Sequence, residues 1–193
     1  AFRAGRWKNL LLFVVVAPLF TTYLIRTIAW KTILDDSSPL VSVLKTLHIV
    51  PSDGRVLATS AAVIAGLTYN FLPFMVLPLF ASLERIDRRL LEAGKDLYGS
   101  PLQTFLHVTL PATQAGILAG CVLVFLPAVG DFVSAQLLGG PDTYMVGNLI
   151  QDQFFAASNW PFGSALTVVM MLFLIGWMVF YLKRASKGEA EVL

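Results

Sequence analysis

"LLEAGKDLYGSPLQTFLHVTLP", residues 90–111, places a polar and charged island between long apolar runs. The fold is decided by what surrounds it. Residues 56–83 and 108–130 contain no Asp, Glu, Lys or Arg, and about 20 apolar residues are enough to cross the hydrocarbon of a bilayer. Two more runs have that length: 9–33, interrupted by charge only at Arg26 and Lys31, and 160–182, the end of a stretch uncharged from Phe154 onward. The 193-residue chain is 56% hydrophobic and 13% charged, with mean hydropathy +0.73, whereas a soluble domain carries about 25% charge. These features predict an all-α polytopic membrane protein with four spans. Three of the apolar stretches exceed what a straight crossing needs, so tilts or kinks are expected, with Pro73, Pro78 and Pro127 as the sites where a kink costs least.

Basic residues orient the chain. With four spans both ends share a side. On that side fall ten basic residues, Arg3, Arg6, Lys8, Arg85, Arg88, Arg89, Lys95, Lys183, Arg184 and Lys187; on the other fall four, Arg26, Lys31, Lys45 and Arg55. The excess marks the cytoplasmic side. The termini and the island are therefore expected in the cytoplasm, and 35–54 and roughly 131–159 outside. A formal charge of +2, dispersed along the chain, argues against nucleic acid as a partner. The single cysteine, Cys121, lies in an apolar run and reads as a small buried hydrophobe, which leaves the redox compartment open.

The island itself has helical punctuation. Asp87 is a suitable N-cap for a helix starting at Arg88, in which Leu90, Leu91, Ala93, Gly94 and Leu97 form an apolar stripe and Gly99 is the stop. Ser100, Pro101 and Gln103 then supply an N-cap, a first-turn proline and the third residue of a capping box for a second helix. Its apolar face is Leu102, Phe105 and Leu106. Two short helices with an exposed hydrophobic ridge at a membrane surface suit a groove on another protein. The alternative is an amphipathic hairpin lying on lipid.

At this point the residues resemble a family. Glu92-Ala93-Gly94 and Leu110-Pro111, with Val108 two residues before the latter, follow the spacing of the EAA loop of permease subunits in bacterial ABC importers that work with a solute-binding protein. Two positions depart from the pattern: Gly94 replaces its second Ala, and Tyr98 stands at its Gly with Gly99 one place later. Either Gly99 is expected to supply the positive φ that the turn needs, or the turn to be reshaped. "LIRTIAW" (24–30), "GLTYNFLPFMVLPLFASLERIDRRLLEAGKDL" (66–97), "GILAGCVLVFLPAVGDFVSAQLLGG" (116–140) and "GNLIQDQFFAASNWPFGSAL" (147–166) extend the resemblance to the permease of spermidine/putrescine importers.

The resemblance implies an importer type I transmembrane domain over 1–185, a coupling loop at 88–107 and a cytoplasmic tail at 186–193. Such permeases carry about six spans, so the ones not seen here are expected to lie N-terminally, in keeping with a chain that begins at Ala1. It also implies the partners: a cytoplasmic ATPase dimer that accepts the EAA helices, a sister permease and an extracytoplasmic solute-binding protein, all at the bacterial inner membrane. Glu92, Ala93, Gly94, Leu97, Gly99, Leu102, Phe105, Leu106, Leu110 and Pro111 become the ATPase-coupling residues. The chain has no G-x-x-x-x-G-K-[ST] phosphate loop. It is thus expected to bind no cofactor, with ATP and magnesium held by the partner ATPase.

A polycation needs acidic groups to replace its water and aromatic faces to hold its ammonium ends. On that ground Tyr69, Asn70, Asp131, Asp152 and Trp160 are the candidates for the solute path. Asp131 reads equally well as a helix cap or a docking contact. His48 and His107 lack ligand-spaced companions, so no metal site is expected. Gly116 and Gly120 form a G-x-x-x-G that reads as helix packing. Trp7, Trp30, Trp160 and Trp177 read mainly as interface anchors. The alternatives are the same importer class carrying another small solute, an integral-membrane enzyme, and a non-transporting anchor. Neither G-x-S-x-G nor H-E-x-x-H, motifs that would favour an enzyme, occurs.

Overall fold

The structure, a computed structural model, describes residues 7–48, 51 and 54–190. Of the residues that orient the chain, Arg3 and Arg6 fall outside this part, as do the side chains of Arg88, Arg184 and Lys187 and the end of the tail, 191–193. Every regular element among the described residues is helical. In chain order they are α1 (Lys8–Val16), α2 (Tyr23–Leu34), α3 (Pro39–Thr46), α4 (Ser60–Glu84), α5 (Arg88–Tyr98), α6 (Pro101–Thr104), α7 (Leu110–Ala112), α8 (Gln114–Val129), α9 (Val133–Leu138), α10 (Val146–Phe155) and α11 (Trp160–Ala190). The chain divides into two compact units. One comprises residues 1–16, 72–125 and 178–193, the other 17–71 and 126–177.

Two helices are long and apolar enough to cross a membrane alone: α4 and, within α11, Trp160–Tyr181. Both are continuous, and α4 contains Pro73 and Pro78 within its length. The breaks lie elsewhere than the expected kinks. The run 9–33 is two helices joined by a 3-10 turn, Ala17–Phe20, where Pro18 closes the turn by accepting from the Thr21 N–H at 3.0 Å. The run 108–130 bends by 65° at Thr113, between the helical stretch Pro101–Ala112 and α8. Each broken pair meets the length and hydropathy requirement only when taken together.

Short polar side chains cover the backbone at the ends of these helices. Thr59 Oγ1 accepts from the Ala62 N–H (3.2 Å) at the start of α4. Ser38 Oγ accepts from Val41 N–H (3.2 Å) to cap α3 and donates to the Ile33 carbonyl (2.6 Å) at the end of α2. At the bend, Thr113 Oγ1 donates to the carbonyls of Thr109 (2.9 Å) and Leu110 (3.2 Å). A buried carbonyl or N–H without a partner costs about 1–3 kcal/mol, so these hydroxyls stand in for water at each interruption.

In the unit formed by 17–71 and 126–177, Leu34, Ala62, Val63, Ala135 and Leu138 make the core, with Trp30, Leu67 and Met145 against it. Gly66 lets α4 approach α9, because a Cβ there would meet Leu138 Cδ1 at 2.3 Å. In the other unit, α8 crosses α4 through Gly116 and Gly120. A Cβ on Gly116 would lie 2.2 Å from Ser82 Oγ and 2.7 Å from the Pro78 carbonyl; one on Gly120 would lie 2.6 Å from the Met75 sulfur. The G-x-x-x-G is thus a helix-crossing surface within the chain. Lys8 of α1 pairs with Glu84 at the end of α4 and sits 5.2 Å from the centre of the Phe80 ring.

Along α11, Gly163, Leu166, Met170, Leu174, Trp177 and Tyr181 recur every three or four residues as its less exposed stripe. The rest of its apolar surface is open, as lipid-facing or partner-facing surface would be. Gly116→Val is expected to lower the yield of folded protein and its melting temperature in detergent, because the Pro78 carbonyl cannot move aside, whereas Gly176→Ala, where nothing lies within 4 Å of the added Cβ, is expected to behave as the parent. Overpacking of this kind costs about 1–3 kcal/mol.

Candidate functional site

The island folds as the sequence punctuates it. Asp87 caps α5 by accepting from the Arg89 N–H at 2.9 Å. Gly99 ends it at φ +63°, its N–H donating to the Lys95 carbonyl at 2.8 Å. A side chain at that φ costs roughly 1–2 kcal/mol, so Gly99 takes the place of the glycine that Tyr98 displaces. Ser100 precedes Pro101 as expected, but its side chain makes no cap and the expected capping box with Gln103 does not form. The Ser100 carbonyl instead accepts from the Thr104 N–H at 3.0 Å.

Gly94 explains its own departure from Ala. A Cβ there would stand 2.9 Å from Val108 Cγ2 and 3.0 Å from Thr104 Cγ2. The missing methyl lets the second helix lie directly on α5, and Thr104 Oγ1 donates to the Gly94 carbonyl (3.2 Å) at the crossing. Beyond α6 the helix widens into a π turn, Phe105–Thr109, in which the Leu110 N–H reaches back to the Phe105 carbonyl. Pro111 follows, with no N–H to continue an ordinary ladder. Tyr98 stacks on His107 with ring centres 4.9 Å apart, which ties the end of α5 to the π turn.

The inner face of this motif is therefore small and interlocked, and its outer face is apolar. Leu97 is 76% exposed, Leu102 67%, Phe105 49% and Leu106 46%. Glu92, Ala93 and Lys95 are exposed beside them, and Leu110 and Pro111 are exposed at its end. All ten residues that the resemblance marks for coupling sit in one unit on one stretch of chain. The ridge is backed by the Gly94–Thr104 crossing.

The residues expected from the sequence to serve a solute path lie in the other unit. Asp131 is buried. Its Oδ1 accepts from the Val133 and Ser134 N–H groups (2.9 and 3.3 Å), the first two of α9, and its Oδ2 accepts from the Tyr23 hydroxyl at 2.5 Å. Ser134 Oγ lies 2.8 Å from the same hydroxyl. Asn70 is 1% exposed, with its amide donating to Thr27 Oγ1 (3.2 Å), and Thr27 in turn donates to the Tyr23 carbonyl. Tyr23 and Thr27 thus join Asn70 and Asp131 into one buried polar chain.

Tyr69 turns away from that chain to meet Trp30 edge-on at 5.5 Å. Trp160 is exposed and packs edge-on against Phe154 at 6.2 Å. Asp152, on α10, accepts from the Tyr144 hydroxyl, and a cavity of about 350 Å³ opens beside this pair.

Sequence reasoning missed Tyr23, Thr27 and Arg26. Arg26, read as an outer-side charge, is buried, its guanidinium 5.8 Å from the Tyr23 ring, and its Nε and Nη1, like Asn70 Oδ1, have no partner among the described residues. The signal was present: a Tyr, an Arg three residues later and a Thr four residues later share one face of a helix inside an otherwise apolar run. No group of His, Cys, Asp or Glu among the described residues could hold a metal ion.

Comparison with known proteins places this geometry. The family described as binding-protein-dependent transport system inner membrane component matches residues 2–187. The spermidine/putrescine transport system permease protein PotB of Haemophilus influenzae is 44% identical over 182 residues, which cover 94% of this chain and 63% of that protein. PotB of Escherichia coli K12 is 42% identical over 180 residues, covering 93% and 65%. The inner membrane ABC transporter permease protein YdcU of Escherichia coli K12 is 33% identical over 202 residues, covering 98% and 63%. The chain spans a little under two thirds of the length of these curated relatives.

Asp131→Ala is expected to leave two α9 N–H groups and the Tyr23 hydroxyl without their acceptor, and thereby to lower stability by about 1–3 kcal/mol. Asp131→Asn keeps an acceptor for the N–H groups and is expected to recover most of the loss. Thermal unfolding of the two variants in detergent measures the difference.

Proposed function

The chain belongs to the family of binding-protein-dependent transport system inner membrane components, and on that premise we propose that it is a permease subunit of an ATP-driven ABC importer for polyamines. The mechanical part of this reading is carried by one observation: Leu97, Leu102, Phe105 and Leu106 stand exposed on a two-helix motif that Gly94, Gly99 and Thr104 lock from behind. In a groove of the ATPase, such a ridge loses its contact with water and gains rigid attachment. Closing and opening of the ATPase dimer then drags the spans between inward-facing and outward-facing states. Glu92 and Lys95 add rim contacts. ATP and magnesium are held by that partner, and this chain makes and breaks no covalent bond.

The solute reading is supported by the names of the relatives at 42–44% identity, which are given to spermidine/putrescine permeases. The similarity to YdcU, whose name specifies no solute, keeps another small solute as the second reading. The solute is delivered by a binding protein on the outer side and crosses between this chain and a sister permease. The basic-residue bias supports cytoplasmic termini and a cytoplasmic ridge, with 131–159 outside. Tyr69, Asn70, Asp131, Asp152 and Trp160 are the residues of this chain proposed to serve the path. Among them Asp131 serves it by holding α9 to Tyr23, since both its oxygens are engaged.

The test is uptake of labelled spermidine by the complete complex in vesicles, with ATP inside and loaded binding protein outside. Transport without ATP, or transport of other solutes only, would sink the respective half of the proposal. Leu102→Asp or Phe105→Asp is expected to abolish coupled uptake while leaving membrane insertion intact. A charge placed in a water-excluding groove removes an anchor worth more than about 2 kcal/mol. Co-purification of the ATPase with the mutant chain, set beside its uptake rate, reads this out.

A further inference from the structure

The cavity beside Asp152 is built by one short stretch of chain. Ala135, Gln136 and Gly139 come from α9 and its end, Gly140, Pro141 and Thr143 from the following 3-10 turn and its start, and Tyr144, Asn148, Gln151 and Asp152 from the approach to α10 and its first two turns. Its glycine walls are closely packed. A Cβ on Gly139 would collide with Thr143 Oγ1 at 2.0 Å, and one on Gly140 with the Ala58 carbonyl at 2.7 Å.

Most of its polar groups are already engaged with the protein. Thr143 Oγ1 donates to the Gly140 carbonyl at 2.8 Å. Asn148 accepts from the Met145 N–H and donates to the Phe132 carbonyl. The Tyr144 hydroxyl donates to Asp152 Oδ2, and that bond pushes the phenol up from its ordinary pKa, so it stays a neutral donor. Three acceptors remain unengaged among the described residues: Asp152 Oδ1 and the amide oxygens of Gln136 and Gln151. The one formal charge on the lining is negative, and no Lys or Arg lines it.

From this we propose that the cavity binds a primary alkylammonium group, with Asp152 as its counter-ion. An ammonium offers three N–H donors and no acceptor, which suits the open Asp152 Oδ1 and the two amide oxygens on the same lining. The Ala135 methyl and the Tyr144 ring give the first methylenes an apolar and aromatic wall. An anion would face the Asp152 charge with no cation to offset it. Resting on the polyamine reading above, the cavity is a receiving site on the outer side for one end of the solute, ahead of the path itself.

The test uses the assembled complex with its binding protein. A reporter thiol at the rim, Pro141→Cys in a Cys121→Ala background, is alkylated with a neutral maleimide. Millimolar 1,4-diaminobutane is expected to slow alkylation of this chain, 1,4-butanediol is not, and adding Asp152→Asn should erase the protection. Gln136→Leu, at an exposed position, should weaken it without touching the Tyr144 bond. In uptake assays Asp152→Asn is expected to raise KM about tenfold, the equivalent of one lost charge contact, with kcat held.

Absence of protection in a complex that imports the diamine overturns the cavity and leaves the importer reading standing. Protection in a complex that imports no polyamine supports the cavity and overturns the solute reading instead. Loss of binding-protein docking in Asp152→Asn, with no protection by the diamine, overturns the proposal by assigning the cavity to a lysine of the docked protein.

Discussion

Hydrocarbon supplies no hydrogen bonds, and the structure is arranged around that deficit. Every segment at membrane depth has to satisfy its own backbone, which confines it to helix. The interruptions in these helices are more informative than their lengths. At the end of α2, at the start of α4, at the bend before α8 and at the start of α9, a Ser, Thr or Asp side chain takes up the groups that the helix releases. The apolar surface determines that the chain belongs in a membrane. These few hydroxyls and one carboxylate determine where it is allowed to turn.

That division explains what could be read in the residues. The four apolar runs and the helical class are properties of composition and length, and they were legible. The breaks were not, because proline is ambiguous in such a sequence: Pro73, Pro78 and Pro127 lie inside α-helices, while Pro18 lies in the 3-10 turn at a break. At the bend before α8 it is the Thr113 hydroxyl, and no proline, that takes up the released carbonyls. The island read better. Asp87 and Gly99 act locally, through a carboxylate on an N–H and a backbone angle open to glycine, so their positions alone define α5. Ser100 makes no cap although it stands at the cap position, and nothing in the structure explains why.

The candidate site shows the same limit. The ridge was legible because exposure follows from helical spacing once both helices are placed. The company that Asp131 keeps was not: Tyr23, Arg26 and Thr27 mark a polar helix face in an apolar run, but Tyr23 lies 108 residues away in sequence and the spacing does not say which acid it meets. Asp131 and Asp152 look alike as acids in polar stretches. Their surroundings separate them, one with both oxygens committed to protein donors, the other with one oxygen open beside a cavity.

The widened turn at Phe105–Thr109 bears on how such chains diverge. A π turn is an α-helix that has taken in one surplus residue and closed around it. Loss of one residue within this stretch would restore ordinary helix while leaving the Leu102 side and the Leu110-Pro111 side in the same mutual orientation. The same loss in the middle of α5 would rotate everything after it by about 100°. The stretch is therefore a site where relatives can differ in length by one residue and still present the same ridge, and where gaps in their alignment are expected to gather.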